Sequence, residues 1–211
     1  MSTQVVLATT NAKKLAELRR LVADLGGGSQ PAVQVLGLAD VPSYPEPEET
    51  ERSFAGNALL KARACAAATG LPALADDSGL AVDVLNGMPG VRSARWSGPG
   101  ADDRANNELL LRQLSDVPDA DRTAQFVCAI ALVLPDGTEH VRTGIMAGRL
   151  ICGCRGDNGF GYDPIFVASG QARTNGELSA AEKDQISHRG QAVRAIVPVL
   201  LAELERQRGA A

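Results

Sequence analysis

The chain has 211 residues, of which 45% are hydrophobic but only 3% aromatic, and its formal net charge is −4. That length supports a sizeable core in one compact unit, built of necessity from Val, Leu, Ile and Ala. The acidic balance, with no long basic run to offset it, argues against binding a nucleic-acid backbone, yet a local Lys/Arg cluster can still hold one polyphosphate.

In chain order, Val5-Val6-Leu7-Ala8 reads as a short strand that runs through Thr9-Thr10-Asn11 into an amphipathic helix over 12–25. Leu15, Leu18, Leu21, Val22 and Leu25 recur there at helical spacing, Thr10 or Asn11 supplies the cap, and Gly26 to Gly28 end the helix. Val33 to Leu36 is a second strand, and the Pro- and Glu-rich stretch 42–51 is a loop. Ser53 starts a helix through Thr69, stopped by Gly70 and Pro72. The apolar run from Leu71 to Ala75 predicts a strand that carries Asp76 and Asp77 to the edge of a core, and Leu80 to Leu85 predicts a further short strand. A Gly/Pro-broken stretch over 86–100 precedes a helix over 101–114. Strands over 123–134 and 140–148 flank Pro135-Asp136-Gly137, a hairpin signal. A second Gly-rich stretch, 153–161, leads to Asp163-Pro164-Ile165-Phe166. Helices over 179–184 and 189–207 follow, with a frayed end after Gln207. Alternating strands and helices early in the chain, with a hairpin in its middle, predict an α/β fold with a mixed sheet.

No apolar stretch approaches membrane-spanning length and no leader pattern opens the chain, so a soluble, cytoplasmic protein without membrane contact is expected. Cys65, Cys128, Cys152 and Cys154 lack metal-knuckle spacing. The Cys152-Gly153-Cys154 pair is closer than the usual metal or redox motif, and free thiols in a reducing compartment are expected.

Chemistry-bearing residues fall into a few clusters. Asp76-Asp77-Ser78-Gly79 places two carboxylates against apolar sequence, where a hard divalent cation such as Mg²⁺ is a natural partner. A carboxylate of Glu48 or Glu49 in the preceding loop can complete an oxygen shell. Thr9, Thr10, Asn11, Ala12, Lys13 and Lys14 lie at a helix N-terminus, where free N–H groups and the helix dipole suit phosphate oxygens. Taken alone, that segment also reads as an ordinary capped helix with solvated lysines, and Lys61 alone reads as a solvated lysine. No Walker loop and no Gly-x-Ser-x-Gly elbow is present. Gly159-Phe160-Gly161-Tyr162-Asp163 either forms a structural turn or lets Phe160 or Tyr162 stack on a planar base. Lys183, His188 and Arg189 supply donors, while His140 after the hairpin turn is expected to be simply exposed. Together these pieces describe a nucleoside triphosphate pocket.

The combination resembles the pyrophosphatases of non-standard purine nucleoside triphosphates, the inosine/xanthosine triphosphatase family. The matching segments run in order along nearly the whole chain: Ala8 to Asn11 with Lys14, Glu48 to Thr50, Ser53-Phe54 with Asn57-Ala58 and Lys61-Ala62, then Ala75 to Leu80. Ser93 to Arg95, Gly159 to Phe166, Glu182-Lys183 and Ser187 to Arg189 complete it, with Ala181 and Asp184 departing from the pattern. The resemblance implies an elongated mixed β-sheet flanked by helices, with two lobes around a central nucleotide cleft, in one domain spanning 1–211. It also implies a homodimer and Mg²⁺-dependent hydrolysis of ITP, dITP and XTP to the nucleoside monophosphate and pyrophosphate. By position, Asp77 would be proton acceptor and metal ligand, with Asp76 beside it, and Glu49 the second metal-binding carboxylate, Glu48 being its neighbour. Thr9 to Lys14 and Lys61 would serve the triphosphate. Ser78, Phe160, Gly161, Tyr162, Asp163, Lys183, His188 and Arg189 would contact nucleotide or base. Donors from His188 or Arg189 would favour a C6 carbonyl over adenine's amino group. Two other readings stand beside this one: a hydrolase of dUTP or modified pyrimidine nucleotides, and a non-catalytic nucleotide-sensing or RNA-binding module. The paired carboxylates and the acidic charge count against the second.

Overall fold

A computed structural model describes residues 3–25, 33–100 and 102–209. Gly26 to Gly28, Ala101 and the last two residues, to which the sequence reading assigned a helix end, a helix start and a frayed tail, lie outside the described residues.

The structure is a mixed six-stranded sheet in the order β2-β1-β3-β4-β5-β6, accompanied by five α-helices among the described residues. β1 (Thr3–Leu7) pairs in parallel with β2 (Val33–Leu36) on one side and β3 (Ala73–Val82) on the other. The helices α1 (Ala12–Leu25) and α2 (Phe54–Thr69) make these parallel connections possible, since parallel neighbours need a crossover. β4 (Thr123–Val133) and β5 (Glu139–Leu150) form the expected hairpin, closed where Leu134 donates to the Thr138 carbonyl and Gly137 to that of Leu134. β6 (Phe166–Ala168) adds antiparallel to β5, with Leu150 opposite Phe166. Helix α3 (Asp103–Gln113) is capped by the Asp102 carboxylate, which accepts from the Ala105 amide. Helix α4 (Ala180–Ile186) begins with a capping box between Ser179 and Glu182, and α5 (His188–Gly209) is the long C-terminal helix.

Four readings are corrected. The acidic pair does not end a strand, because β3 runs unbroken through Asp76 and Asp77 to Val82. β6 was not expected, its three residues being too short to carry a periodic signal. Helix α5 continues past Gln207 to Gly209 instead of ending there. His140 is not simply exposed, since its Nε2 lies 2.9 Å from Glu203 Oε1 on α5, and Glu203 also pairs with Arg206.

The chain divides into two compact units, each assembled from separated stretches. The first comprises Met1–Asp77, Ala129–Thr143 and Gly190–Ala211, and the second Ser78–Cys128 and Gly144–Arg189. In the first, Ala58, Ala62, Cys65 and Ala66 on α2 pack with Val6, Ala73, Ala75, Ala131 and Val133 of the strands. Small side chains on α2 let the helix lie close to the sheet. α5 adds a helical stripe of buried residues: Ala192, Val193, Ile196, Val197, Leu200 and Leu204. The second unit is built around Leu80, Leu110, Leu114, Phe126, Leu150, Tyr162, Ile165 and Phe166. Phe126 meets Phe166 edge to face at 4.7 Å between ring centroids. All four cysteines are free, Cys65 and Cys128 buried and Cys152 and Cys154 exposed. Among the described residues no helix is long and apolar enough to cross a membrane.

Candidate active site

Successive strand residues point to opposite faces of a sheet, and in β3 this separates the two carboxylates. Asp77 follows Ala73 and Ala75 at the period of two, on the face that packs against α2. Its Oδ2 accepts from Asn57 Nδ2 of α2 at 3.0 Å, and Asn57 is wholly buried. Asp76, on the other face, accepts from Lys14 Nζ of α1 at 2.8 Å. The two carboxylates are 5% and 8% exposed, so each is held at the core by a partner drawn from a different helix.

The segment leading to α1 is ordered by its own side chains. Thr9 Oγ1 accepts from the Asn11 amide at 3.2 Å, and Asn11 Oδ1 accepts from the Lys14 amide at 3.3 Å, so Asn11 is the cap. Ala12 and Lys13 belong to α1, but their side chains lie outside the described residues. Thr10 is exposed. α2 opens on Ser53, whose hydroxyl accepts from the Gly56 amide, and closes on Gly70 at φ +66°. Asn57 and Lys61 are four residues apart on that helix and therefore share a face. Lys61 Nζ bonds Glu49 Oε1 at 2.8 Å, and Asn57 Oδ1 accepts from the Glu51 amide at 3.0 Å. The irregular stretch 42–51 is thus fastened to α2 at both Glu49 and Glu51. Glu48 is exposed, whereas Glu49 is half-buried and ion-paired.

Burial pushes the Asp77 carboxyl above its ordinary value. The charge of Lys61, the Asn57 hydrogen bond and the charge of Lys14 pull it down, while Glu49 pushes it up. A carboxylate that is desolvated and repelled by a second carboxylate is poised to bind a cation. Among the described residues no group of three or more His, Cys, Asp or Glu forms a ready-made metal cage. Mg²⁺ does not require one, since it ordinarily takes one or two carboxylates and completes its shell with water and substrate phosphate. The hard-oxygen pair Glu49 and Asp77 fits that ion.

In the second unit a cavity of about 120 Å³ is lined by Ser78, Gly79, Ser93, Asp103, Phe126, Phe160, Tyr162, Asp163, Lys183, His188 and Arg189, among others. Its walls are built from the Gly-rich loop outward. The Phe160 amide donates to Asp163 Oδ2, and Gly161 N–H donates to Asp103 Oδ2 at 2.6 Å while its carbonyl accepts from Asn107. Gly159 has φ +78° and a Cβ there would collide with the Asp163 carboxylate, so glycine is required. Asp163 is 1% exposed and is held by Asn175 and by an ion pair with Lys183. Tyr162 is buried with its hydroxyl donating to the Ser93 carbonyl at 2.9 Å, whereas Phe160 is 40% exposed. Of the two aromatics, Phe160 is therefore the exposed one. Lys183 Nζ and Arg189 Cζ lie 4.8 and 5.6 Å from its ring centroid, within cation–π range. His188 is stacked on Phe126 at 5.0 Å with planes 12° apart, and Arg189 donates to the Ser78 hydroxyl.

The structure therefore brings Lys14, Glu49, Lys61 and Asp77 together in the first unit, and Ser78, Phe160 to Asp163, Lys183, His188 and Arg189 in the second. Asn57, Ser93, Phe126 and Asn175 were given no role from sequence. Asn57 and Ser93 stand in segments that carry the resemblance, and Asn57 also shares a helical face with Lys61; Phe126 and Asn175 act through contacts that local sequence does not reveal.

The mixed α/β architecture thus carries a buried carboxylate–lysine cluster in its first unit and an aromatic cavity bordered by cations in its second. A Ham1 family profile matches residues 5–199. The chain belongs to the Ham1 family. It is 57% identical over 204 residues to a dITP/XTP pyrophosphatase of Cutibacterium acnes, covering 96% of this chain and 98% of that protein. It is also 57% identical to the dITP/XTP pyrophosphatase of Nocardia farcinica, with 96% and 97% covered. Among solved structures, a HAM1 protein from Coxiella burnetii superposes with a TM-score of 0.86 at 42% identity, covering 95% and 99% of the two chains. The nucleoside-triphosphatase / dITP/XTP pyrophosphatase of Mycobacterium abscessus does so at 0.77 and 54% identity, covering 93% and 100%.

Proposed function

We propose that this protein hydrolyses ITP, dITP and XTP to the nucleoside monophosphate and pyrophosphate, with Mg²⁺, and so removes deaminated purines from the nucleotide pool. The observation that carries the proposal is the buried Asp76–Asp77 pair, divided between Lys14 on one face of β3 and Asn57 on the other. The names of its relatives point to two of these substrates, dITP and XTP.

In this reading the helix start at Thr9 to Lys14 faces the phosphate oxygens, joined by the Lys14 and Lys61 ammonium groups that Asp76 and Glu49 keep in place. Asp77, oriented by Asn57, accepts a proton from the water that attacks the α-phosphorus, and pyrophosphate departs. Glu49 and Asp77 would hold Mg²⁺, which when bound neutralises phosphate charge that would otherwise repel both carboxylates and water. Phe160 stacks on the base, while Lys183, His188 and Arg189 provide donors that reward a C6 carbonyl and penalise an amino group by roughly 1–3 kcal/mol. A homodimer completes the proposal and is checked by light scattering.

The test is a panel of dITP, ITP, XTP, ATP, GTP and dUTP with Mg²⁺, following pyrophosphate and orthophosphate separately. Pyrophosphate from the first three alone is expected. Faster turnover of dUTP would transfer the protein to the pyrimidine hydrolases. Nucleotide binding without Mg²⁺-dependent pyrophosphate release would make it a sensor, and orthophosphate as first product would overturn the cleavage site.

A further inference from the structure

Cys152-Gly153-Cys154 lies between β5 and the Gly-rich loop, outside every role described above. In an extended chain, residues two apart place their Cα atoms about 7 Å from each other, at the limit of what a disulfide spans. The backbone here is not extended. The Ile151 amide donates to the Ile165 carbonyl at 2.9 Å and the Arg155 amide to the Pro164 carbonyl at 2.8 Å. Two residues four apart thus dock on neighbours whose Cα atoms are only about 3.8 Å apart. The chain must fold back between them, and Gly153, at an ordinary backbone φ, lies midway. A Cβ built at Gly153 would touch nothing within 4 Å, so the reversal stands in open space.

Both thiols are free and exposed. Cys152 Sγ donates to Asp119 Oδ1 at 3.3 Å, which leaves Cys154 as the attacking sulfur. Beyond the reversal the backbone is pinned: the Arg155 carbonyl accepts from Thr174 Oγ1 at 2.7 Å, and Asn158 N–H donates to the Gly176 carbonyl at 2.9 Å. The loop beyond 154 therefore stays anchored whether the two thiols are apart or bonded.

We propose that Cys152 and Cys154 form a redox-active dithiol that closes to an intramolecular disulfide by exchange with a small-molecule disulfide. The Cys154 thiolate attacks one sulfur of that disulfide, forming a mixed disulfide and releasing one small thiolate. Cys152 then gives up its proton to solvent and attacks the Cys154 sulfur, expelling the second small thiolate. Two protein thiols are oxidised to one disulfide, and one small-molecule disulfide is reduced to two thiols.

The experiment uses the full chain, first reduced and then equilibrated with glutathione buffers of rising disulfide fraction, followed by acid quench, alkylation under denaturing conditions and peptide mass analysis. The peptide carrying 152–154 is expected to lose two hydrogens and escape alkylation at any protein concentration, while Cys65 and Cys128 remain alkylatable. Cys152→Ser and Cys154→Ser, whose folding is verified by circular dichroism, are each expected to retain one glutathione instead. Glutathione on both cysteines without a bridge would overturn the proposal. So would a bridge found only between chains, or a wild-type protein that stays reduced throughout.

Discussion

Asp77 illustrates how one residue's catalytic use opposes its structural comfort. Burial raises its carboxyl pKa, so in the acid range the folded chain holds a proton that the unfolded chain has already lost. Stability from that proton is present below the ordinary aspartate range and disappears as pH rises through the raised value. At neutral pH the charged side chain is therefore a cost to the metal-free fold. Asp77→Asn keeps the side-chain volume and removes the charge. It should lower dITP turnover by about 10²–10⁴-fold, the range for losing a positioned base. In urea unfolding without metal it should be more stable than the wild type at neutral pH, with the advantage shrinking towards about pH 4. Near-normal turnover would remove Asp77 as the base, and equal destabilisation at both pH values would show that burial does not strain it. His188, stacked on Phe126 and lining the cavity, carries a prediction about selectivity. His188→Ala should narrow the ITP-to-ATP ratio of kcat/KM by about tenfold, within the ~1–3 kcal/mol range of a lost donor. A ratio read on one enzyme sample is insensitive to the fraction folded, and equal losses on both substrates would exclude His188 from base selection. At this scale the sequence exposed the residues that carry charge but not the neutral ones that hold them. Asp77 stands out as part of an acidic pair, whereas Asn57, though it stands in a segment that carries the resemblance, shows nothing of its bond to Asp77.

Elements were legible where their signals are local. Helix α2 has both ends written in the chain, a Ser53 cap and a Gly70 stop, and its bounds match the expectation. The hairpin turn at Pro135-Asp136-Gly137 is equally local. β3 is the opposite case. Two adjacent charges read as the end of a strand, because in isolation they belong in water, and remote partners such as Lys14 and Asn57, 62 and 20 residues distant, make their burial tolerable. Gly79 within β3 has a similarly remote reason. A Cβ there would collide with Ser93 Oγ and lie 2.6 Å from the Gly90 carbonyl, in a 3₁₀ segment (Gly90–Arg95) whose Ser93 accepts from the Leu80 amide at 2.9 Å. Gly79→Ala should therefore cost about 1–3 kcal/mol in urea unfolding, the usual penalty for overpacking. It should also raise KM for dITP, since Gly79 and Ser93 both line the cavity. Unchanged stability would mean that the 3₁₀ segment yields freely and does not fix this wall.

Across the whole molecule, the resemblance implied two lobes, but sequence could not indicate where the chain crosses between the two units, because no linker marks the crossings. The chain passes from one to the other at 77–78, 128–129, 143–144 and 189–190. Each passage falls inside a regular element: β3, β4, β5 and the first turn of α5. A strand cannot be half unfolded without breaking its own ladder, so neither unit can melt while the other keeps these four elements whole. Continuous elements at every crossing therefore favour one cooperative transition over two independent ones. The chain supplies its own reporters: its single tryptophan, Trp96, lies in the second unit, and Cys65, fully buried on α2, lies in the first. Equilibrium urea unfolding followed by Trp96 fluorescence and by pulsed alkylation of Cys65 should give coincident midpoints. Separate midpoints would establish that the units unfold independently and that strand continuity across their boundary contributes little to cooperativity.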